Sequence, residues 1–268
     1  MMEDLFDVEY ERFKRDVKQF IGVDLTQYKS AQMKRRIKSF ITKPQIPTLT
    51  QFTPELGRNR ELLALFKDFI TINVTEFFRN EDKFEDLRVK MMPELIRIMK
   101  EQHRTTFKIW SAGCSTGAEA YTLAITMNEY FRGVPYSILA TDIDTTVLAK
   151  AKLAEYKELE IRSVPKPLLE KYFDSMIEEE KWRLRPDVKQ NVSFSINNLS
   201  QDPFQRGFDL ILCRNVVIYF TEEAKDLLYK KFFDALVEGG VLFIGGTESI
   251  LNAKQIGFKT SANLFYYK

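Results

Sequence analysis

Ser111-Ala112-Gly113-Cys114-Ser115-Thr116-Gly117 follows a short apolar run at 108–111 and leads into a helix-patterned stretch, Ala118–Tyr130. A strand that turns through glycines into a helix is the unit from which parallel α/β sheets are built. Gly113 and Gly117 permit a tight turn and a close approach of backbone to a ligand, and the small polar residues between them leave helix-start N–H groups accessible. The spacing is G-x-x-x-G, not G-x-G-x-x-G, so the glycine that cradles a dinucleotide pyrophosphate is missing. Read alone, the stretch fits either a plain strand-to-helix turn or the loop of a cofactor.

Working outward, short β-rich runs at 108–111, 137–141, Val192–Ile196, 210–213 and 241–245 alternate with helices. That alternation predicts an α/β fold with a parallel sheet, in which ligands bind beyond the carboxyl ends of the strands. The second run ends Leu139-Ala140-Thr141-Asp142-Ile143-Asp144. An acidic residue there can accept hydrogen bonds from two ribose hydroxyls, and Asp142 is the better placed; the alternative is that Asp142 or Asp144 caps the following helix. Taken together, the two motifs point to a nucleoside cofactor without a bound pyrophosphate, a description that S-adenosylmethionine fits.

Upstream, apolar residues recur at three- and four-residue steps (Phe6, Tyr10, Phe13, Val17, Phe20, Ile21, then Leu62, Leu63, Leu65, Phe66, Phe69, Ile70) and predict helices over the first 75 residues or so. The segment 43–54 carries Pro44, Pro47 and Pro54 and reads as a loop or break. A further helix is expected over 80–102. We expect an N-terminal helical domain at 1–74, a helical linker at 75–104 and a third region at 105–268. Within the last, 156–190 is too long and proline-rich for a simple crossover and reads as an inserted β-subdomain with a hairpin pairing 172–177 with 181–185.

Of the 268 residues, 44% are hydrophobic and 29% charged, the composition of an ordinary globular chain. Forty basic against 38 acidic residues give a net charge of +2, which argues against bulk nucleic acid as a whole-surface partner. No apolar run approaches the length of a membrane span and the acidic start lacks a signal peptide's basic region, so a cytoplasmic protein without membrane insertion is expected. Cys114 and Cys213 cannot form a metal cluster alone, no metal is expected, and both thiols should be reduced and buried. The single histidine, His103, lies in a charged helical stretch before the first site loop.

Five blocks in register carry a family resemblance: Asn73-Val74-Thr75-Glu76-Phe77-Phe78-Arg79, Ile109 to Glu119, Ala140-Thr141-Asp142-Ile143-Asp144, Cys213-Arg214-Asn215-Val216-Val217-Ile218-Tyr219-Phe220 and Gly246-Thr247-Glu248-Ser249. They resemble the bacterial chemotaxis receptor methyltransferases, the CheR family, across nearly the entire chain. The resemblance implies S-adenosylmethionine-dependent esterification of chemoreceptor glutamates, with S-adenosylhomocysteine as product, in the setting of chemotactic adaptation. It implies a Rossmann-like methyltransferase domain with a small inserted β-subdomain, preceded by an all-α domain. By motif, Asn73, Thr75 and Arg79 would lie over the cofactor, Glu119 and Asp142 would bind it from the sheet side, and Asn198, Leu199, Arg214 and Asn215 match further contacting positions; Gly113 allows the close backbone approach. Where many members read Ser-Thr-Gly-Glu-Glu-Pro-Tyr, this chain has Ala118 and Ala120 around an in-register Glu119.

A glutamate carboxylate is ionised at pH 7, so displacement at an activated sulfonium methyl needs no strong base, and the scarcity of histidine fits that chemistry. Arg79, Arg214 and Tyr219 are the candidates for shaping the acceptor region. From Leu25 to Pro54 there are six basic residues and no acidic one. On a helical wheel Met33, Ile37, Phe40 and Ile41 share one face, Lys34, Arg35 and Lys38 lie away from it, and Arg36 flanks it. Composition alone favours a solvated face; the family's basic receptor-facing helix makes Lys34, Arg35, Arg36 and Lys38 candidates for meeting the receptor's cytoplasmic methylation region. Some members hold a receptor C-terminal pentapeptide on a glycine-rich hairpin of the β-subdomain; segment 174–185 has no glycine, so tight pentapeptide binding is not expected. The alternatives are a nucleic-acid methyltransferase, which near-neutral charge and the absence of an N/D-P-P-Y/F loop at 213–216 disfavour, and a non-catalytic receptor-binding module.

Overall fold

Each of the five β-rich runs becomes a strand of one sheet, and the helical periodicity upstream becomes a separate bundle. The computed structural model describes residues 2–42, 48–71, 75–262 and 264–268, without the side chains of 2–5, 261 and 262. By internal contacts the chain divides into two units, Met1–Asn73 with Val217–Leu227, and Val74–Val216 with Leu228–Lys268.

The first unit holds α1 (Met2–Ile21), α2 (Ser30–Thr42), α3 (Leu49–Arg58) and α4 (Arg60–Thr71). Its core is aromatic: Phe13, Phe40, Phe52 and Phe66 meet with ring centroids 5.2–5.9 Å apart. Phe20 departs from the expected stripe and is 37% exposed, as is Leu65 at 57%. The expected break across 43–54 needs correction. Residues 43–47 lie outside the described set, but Pro54 sits inside α3. The helix tolerates the lost hydrogen bond because Thr48 caps it, accepting from the Gln51 N–H at 3.2 Å, and because Leu49, Phe52 and Leu56 are buried. Segment 217–227 joins this unit through an isolated bridge of Tyr28 with Phe220, and the Lys29 N–H donates to the Tyr219 carbonyl at 2.7 Å.

The second unit begins with α5 (Glu81–Asp86), a π-helical turn at Leu87–Met91 and α6 (Met92–Glu101), so the helix expected over 80–102 is interrupted at the turn. There follow β1 (Phe107–Ala112), α7 (Ala118–Tyr130), β2 (Tyr136–Asp142) and α8 (Thr145–Leu153). The inserted piece comprises β3 (Glu155–Lys157), α9 (Glu158–Ile161), α10 (Lys166–Tyr172), β4 (Phe173–Met176), β5 (Lys181–Leu184) and α11 (Pro186–Lys189). Its three strands pair antiparallel in the order β3-β5-β4, with the expected hairpin turning at Glu180 in the left-handed conformation. The sheet resumes with β6 (Val192–Ile196) and β7 (Phe208–Cys213), then α12 (Glu222–Ala235), which belongs to this unit from Leu228 onward, β8 (Leu236–Ile244), α13 (Ala253–Ile256), β9 (Lys259–Ala262) and β10 (Phe265–Tyr267).

The seven strands run in the order β6-β2-β1-β7-β8-β10-β9. Strands β6, β2, β1, β7 and β8 are mutually parallel; β10 and β9 add an antiparallel edge that sequence periodicity does not reveal. The chain winds outward from β1 through β2 to β6, then returns to place β7 on the other side of β1. The carboxyl ends of β1 and β7 therefore form the topological switch point, where a crevice opens in folds of this kind. β7 is buried along its length, and α7 is buried on nearly all sides, as expected of elements at the centre of a doubly covered sheet.

Candidate functional site

The glycine loop is fastened to the neighbouring strand by backbone. The N–H groups of Gly113 and Cys114 both donate to the Thr141 carbonyl, at 2.8 and 2.9 Å. Gly113 has φ +82°, and a Cβ there would lie 2.5 Å from Val216 Cγ2, so only glycine fits. Ser115, at φ +49°, donates its N–H to Asp142 Oδ2 at 2.9 Å, and its Oγ is buried without a partner. Asp142 Oδ1 accepts the Asp144 N–H at 3.0 Å. The two acids divide their work: Asp144 caps α8 by accepting from the Thr146 N–H, whereas Asp142 turns its carboxylate into the glycine loop. Burial pushes the Asp142 pKa up, with backbone N–H donors opposing it.

Beside this loop, Glu119 in the first turn of α7 accepts from Ser111 Oγ at 2.7 Å and from Arg214 Nη1 at 3.3 Å. Arg214 Nη2 donates to the Arg79 carbonyl and to Asn80 Oδ1, each at 2.8 Å, and the guanidinium lies over the rings of Phe84 and Phe243. Burial lowers the Arg214 pKa, but a guanidinium remains charged. Arg214 thus anchors the segment before α5, while the Arg79 and Thr75 side chains are half-buried. Phe78 and Asn80 take positive φ, and the Phe78 N–H donates to Thr122 Oγ1 on α7 at 3.1 Å. Asn73 lies outside the described residues.

At the end of β6, the Asn197 N–H donates to the Asp142 carbonyl at 3.1 Å, and Asn197 Oδ1 is buried without a partner. Asn198 closes the next turn, its Oδ1 accepting from the Ser200 N–H and Oγ, and Lys231 Nζ holds the Leu199 and Asp202 carbonyls at 2.9 and 2.7 Å. After β7, the Asn215 N–H donates to Glu248 Oε2 at 3.1 Å, and Asn215 Oδ1 is buried without a partner. The second unit therefore brings together Arg79, Gly113, Glu119, Asp142, Asn198, Leu199, Arg214 and Asn215 around the strand ends, and Thr75 lies four residues before Arg79 in the same segment. Sequence reasoning missed Ser115, Asn197, Lys231 and Glu248. The first two lay inside or beside motifs already singled out, and Glu248 stood in a quoted block, but nothing local marks Lys231.

Tyr219 falls in the helical unit, together with Arg36. The four basic candidates on α2 differ there. Arg35 and Lys38 are exposed. Lys34 pairs with Asp7 at 2.8 Å, and Arg36 stacks on Phe69 and donates Nε to its carbonyl at 3.0 Å. Burial lowers the Arg36 pKa. Both thiols are free and buried, and burial raises their pKa well above the ordinary value.

Residues 73–264 match the family described as CheR methyltransferase, SAM binding domain, and residues 8–71 match its all-alpha domain. A chemotaxis protein methyltransferase of Listeria innocua is 41% identical over 269 residues, covering 100% of each chain. Its namesake in Listeria monocytogenes is 40% identical over 268 residues, again covering 100% of each. Among solved structures, a SAM-dependent methyltransferase from Methanosarcina mazei aligns at 19% identity with a TM-score of 0.34, over 55% of each chain. The residues present fit S-adenosylmethionine: a buried carboxylate at the end of β2, and the unpartnered Ser115 Oγ, Asn197 Oδ1 and Asn215 Oδ1 on three strand-end loops, offer acceptors and a hydroxyl for hydroxyl and amine groups. The chain belongs to the CheR methyltransferase family, the S-adenosylmethionine-dependent methyltransferases of chemotaxis.

Proposed function

We propose that this protein esterifies glutamate side chains in the cytoplasmic methylation region of chemoreceptors, acting in the cytoplasm. The observation that carries this reading is the chemistry of the strand-end cluster, which offers cations, amides, a hydroxyl and two carboxylates already engaged by donors, Glu119 and Asp142, but no imidazole. The one histidine, His103, follows α6 and precedes β1, on the amino side of the strands. A glutamate carboxylate, with a pKa of about 4.3, is already ionised at pH 7 and needs no deprotonation. Among the described residues no helix is long and apolar enough to cross a membrane.

The bound cofactor supplies a methyl group on a sulfonium that is already activated for displacement. In this reading Asp142 accepts hydrogen bonds from the ribose hydroxyls, and the Gly113 to Gly117 loop brings backbone close. Ser115, Asn197 and Asn215 satisfy polar groups that water would otherwise hold. Arg79 offers a charge-assisted donor for the carboxylate oxygen that does not react. Arg214, held by Glu119, Asn80 and the Arg79 carbonyl, acts as the support that orients Arg79. Arg35 and Lys38, exposed on α2, supply positive charge for an acidic receptor helix. Hairpin 174–185, lacking glycine, is not expected to hold the receptor C-terminal pentapeptide tightly; a micromolar Kd for the free peptide would contradict that.

Incubation with methyl-labelled S-adenosylmethionine and either chemoreceptor membranes or nucleic acid tests the assignment. Base-labile label on the receptor is expected. Label on nucleic acid favours the nucleic-acid reading, and absence of label despite bound cofactor favours a non-catalytic receptor-binding module.

A further inference from the structure

Glu248, in the loop after β8, is 8% exposed, and its Oε2 accepts two backbone donors, the Gly245 N–H at 2.6 Å and the Asn215 N–H at 3.1 Å. The two donors belong to different strand ends, so one carboxylate oxygen ties the loop after β7 to the loop after β8. Asn215 takes φ +60°, a left-handed conformation that asparagine tolerates but does not favour without support. Gly245 keeps the space clear: a Cβ there would lie 2.6 Å from Glu248 Oε2 and 2.8 Å from the Asn215 nitrogen.

We propose that Glu248 is a positioning residue for the cofactor site: by accepting the Asn215 N–H it holds Asn215 in its left-handed turn and so aims the side-chain amide, whose Oδ1 is buried without a partner, toward the cofactor. This rests on the reading above in which Asn215 meets the cofactor. What matters is the reach of the acceptor oxygen. Glutamine reproduces that reach without the charge, whereas aspartate keeps the charge but stops one methylene short.

Calorimetric titration of the full-length protein with S-adenosylhomocysteine, paired with thermal unfolding, separates these possibilities. Glu248→Asp should weaken binding by at least about fivefold, while Glu248→Gln should stay within about threefold of the parent. Asn215→Ala should itself weaken binding, and on that background Glu248→Asp should add less than about twofold, because the two residues act through one contact. If Glu248→Asp does not fold, Gly245→Ala, whose methyl group intrudes between the same partners, takes its place with the same expected loss. A residue that only supports the fold would lower Tm and leave the affinity of the folded protein unchanged, which overturns the proposal. So does equal damage by glutamine and aspartate, or an undiminished effect on the Asn215→Ala background. Unchanged affinity in Asn215→Ala alone overturns the site reading itself.

Discussion

Arg214 and Glu119, 95 residues apart in sequence, meet in a largely buried ion pair with Nη1 3.3 Å from Oε2, at the point where the chain switches from one side of the sheet to the other. Their side chains are 3% and 13% exposed, so neither charge is well served by water. Removing Glu119 leaves the buried guanidinium without a counter-charge, held only by the neutral acceptors of Arg79 and Asn80. Glu119→Ala should therefore destabilise the protein by about 3 kcal/mol in urea unfolding. A loss below about 1 kcal/mol, the range of exposed pairs, would mean that the Arg79 carbonyl and Asn80 alone satisfy the guanidinium.

Asp142 gives a pH signature. Burial raises its folded-state pKa above the ordinary carboxylate value, so in the interval just above that value the folded protein holds more protons than the unfolded chain. Stability must then fall as pH rises through the interval. Asp209 is shifted the same way by burial, so the informative quantity is the difference between variant and parent. Relative to the parent, Asp142→Asn should gain stability as pH rises from below the ordinary aspartate pKa to neutrality, while losing S-adenosylhomocysteine affinity. A stability difference that is flat or falls with pH would contradict this.

On α2 the basic residues should separate by role. Arg36→Ala removes charged donors to the Phe69 carbonyl and should cost about 1.5–3 kcal/mol of stability. Reversing Arg35 and Lys38 to glutamate should change stability by less than about 1 kcal/mol, leave S-adenosylhomocysteine affinity intact, and raise the KM for receptor in a salt-dependent way. Receptor methylation equal to the parent across salt concentrations would show these charges to be a solvated face.

Gly113→Ala combines a left-handed φ with a collision against Val216, and should destabilise by about 2–4 kcal/mol. On a Val216→Ala background the collision is relieved and only about 1–2 kcal/mol of backbone strain should remain. Equal losses on both backgrounds would show that the valine already gives way.

Local pattern carried the sequence reading where one strand or helix decides its own conformation. Helix α7 begins and ends where Gly113 to Gly117 and its apolar run predict, and the hairpin turns at Glu180, in the gap between the two segments expected to pair, 172–177 and 181–185. The antiparallel edge was not legible, because Lys259–Ala262 and Phe265–Tyr267 are too short to show a period and owe their pairing to β8. Pro54 misled for a related reason: tertiary burial of Phe52 and Leu56 outweighs one missing hydrogen bond. In the site, the motifs named the loops but not their supports. Glu119 meeting Arg214, Glu248 meeting Asn215 and Lys231 meeting the Leu199 carbonyl are all long-range contacts, which only the folded sheet brings together.

The most direct test of the account is to map the transferred methyl group by tandem mass spectrometry on chemoreceptor incubated with this protein and S-adenosylmethionine. The account predicts methyl esters on glutamate side chains of the receptor's cytoplasmic methylation region, removed by mild base. Methyl groups on any other residue type, or an unmodified receptor in the presence of protein shown by calorimetry to bind the cofactor, would contradict it.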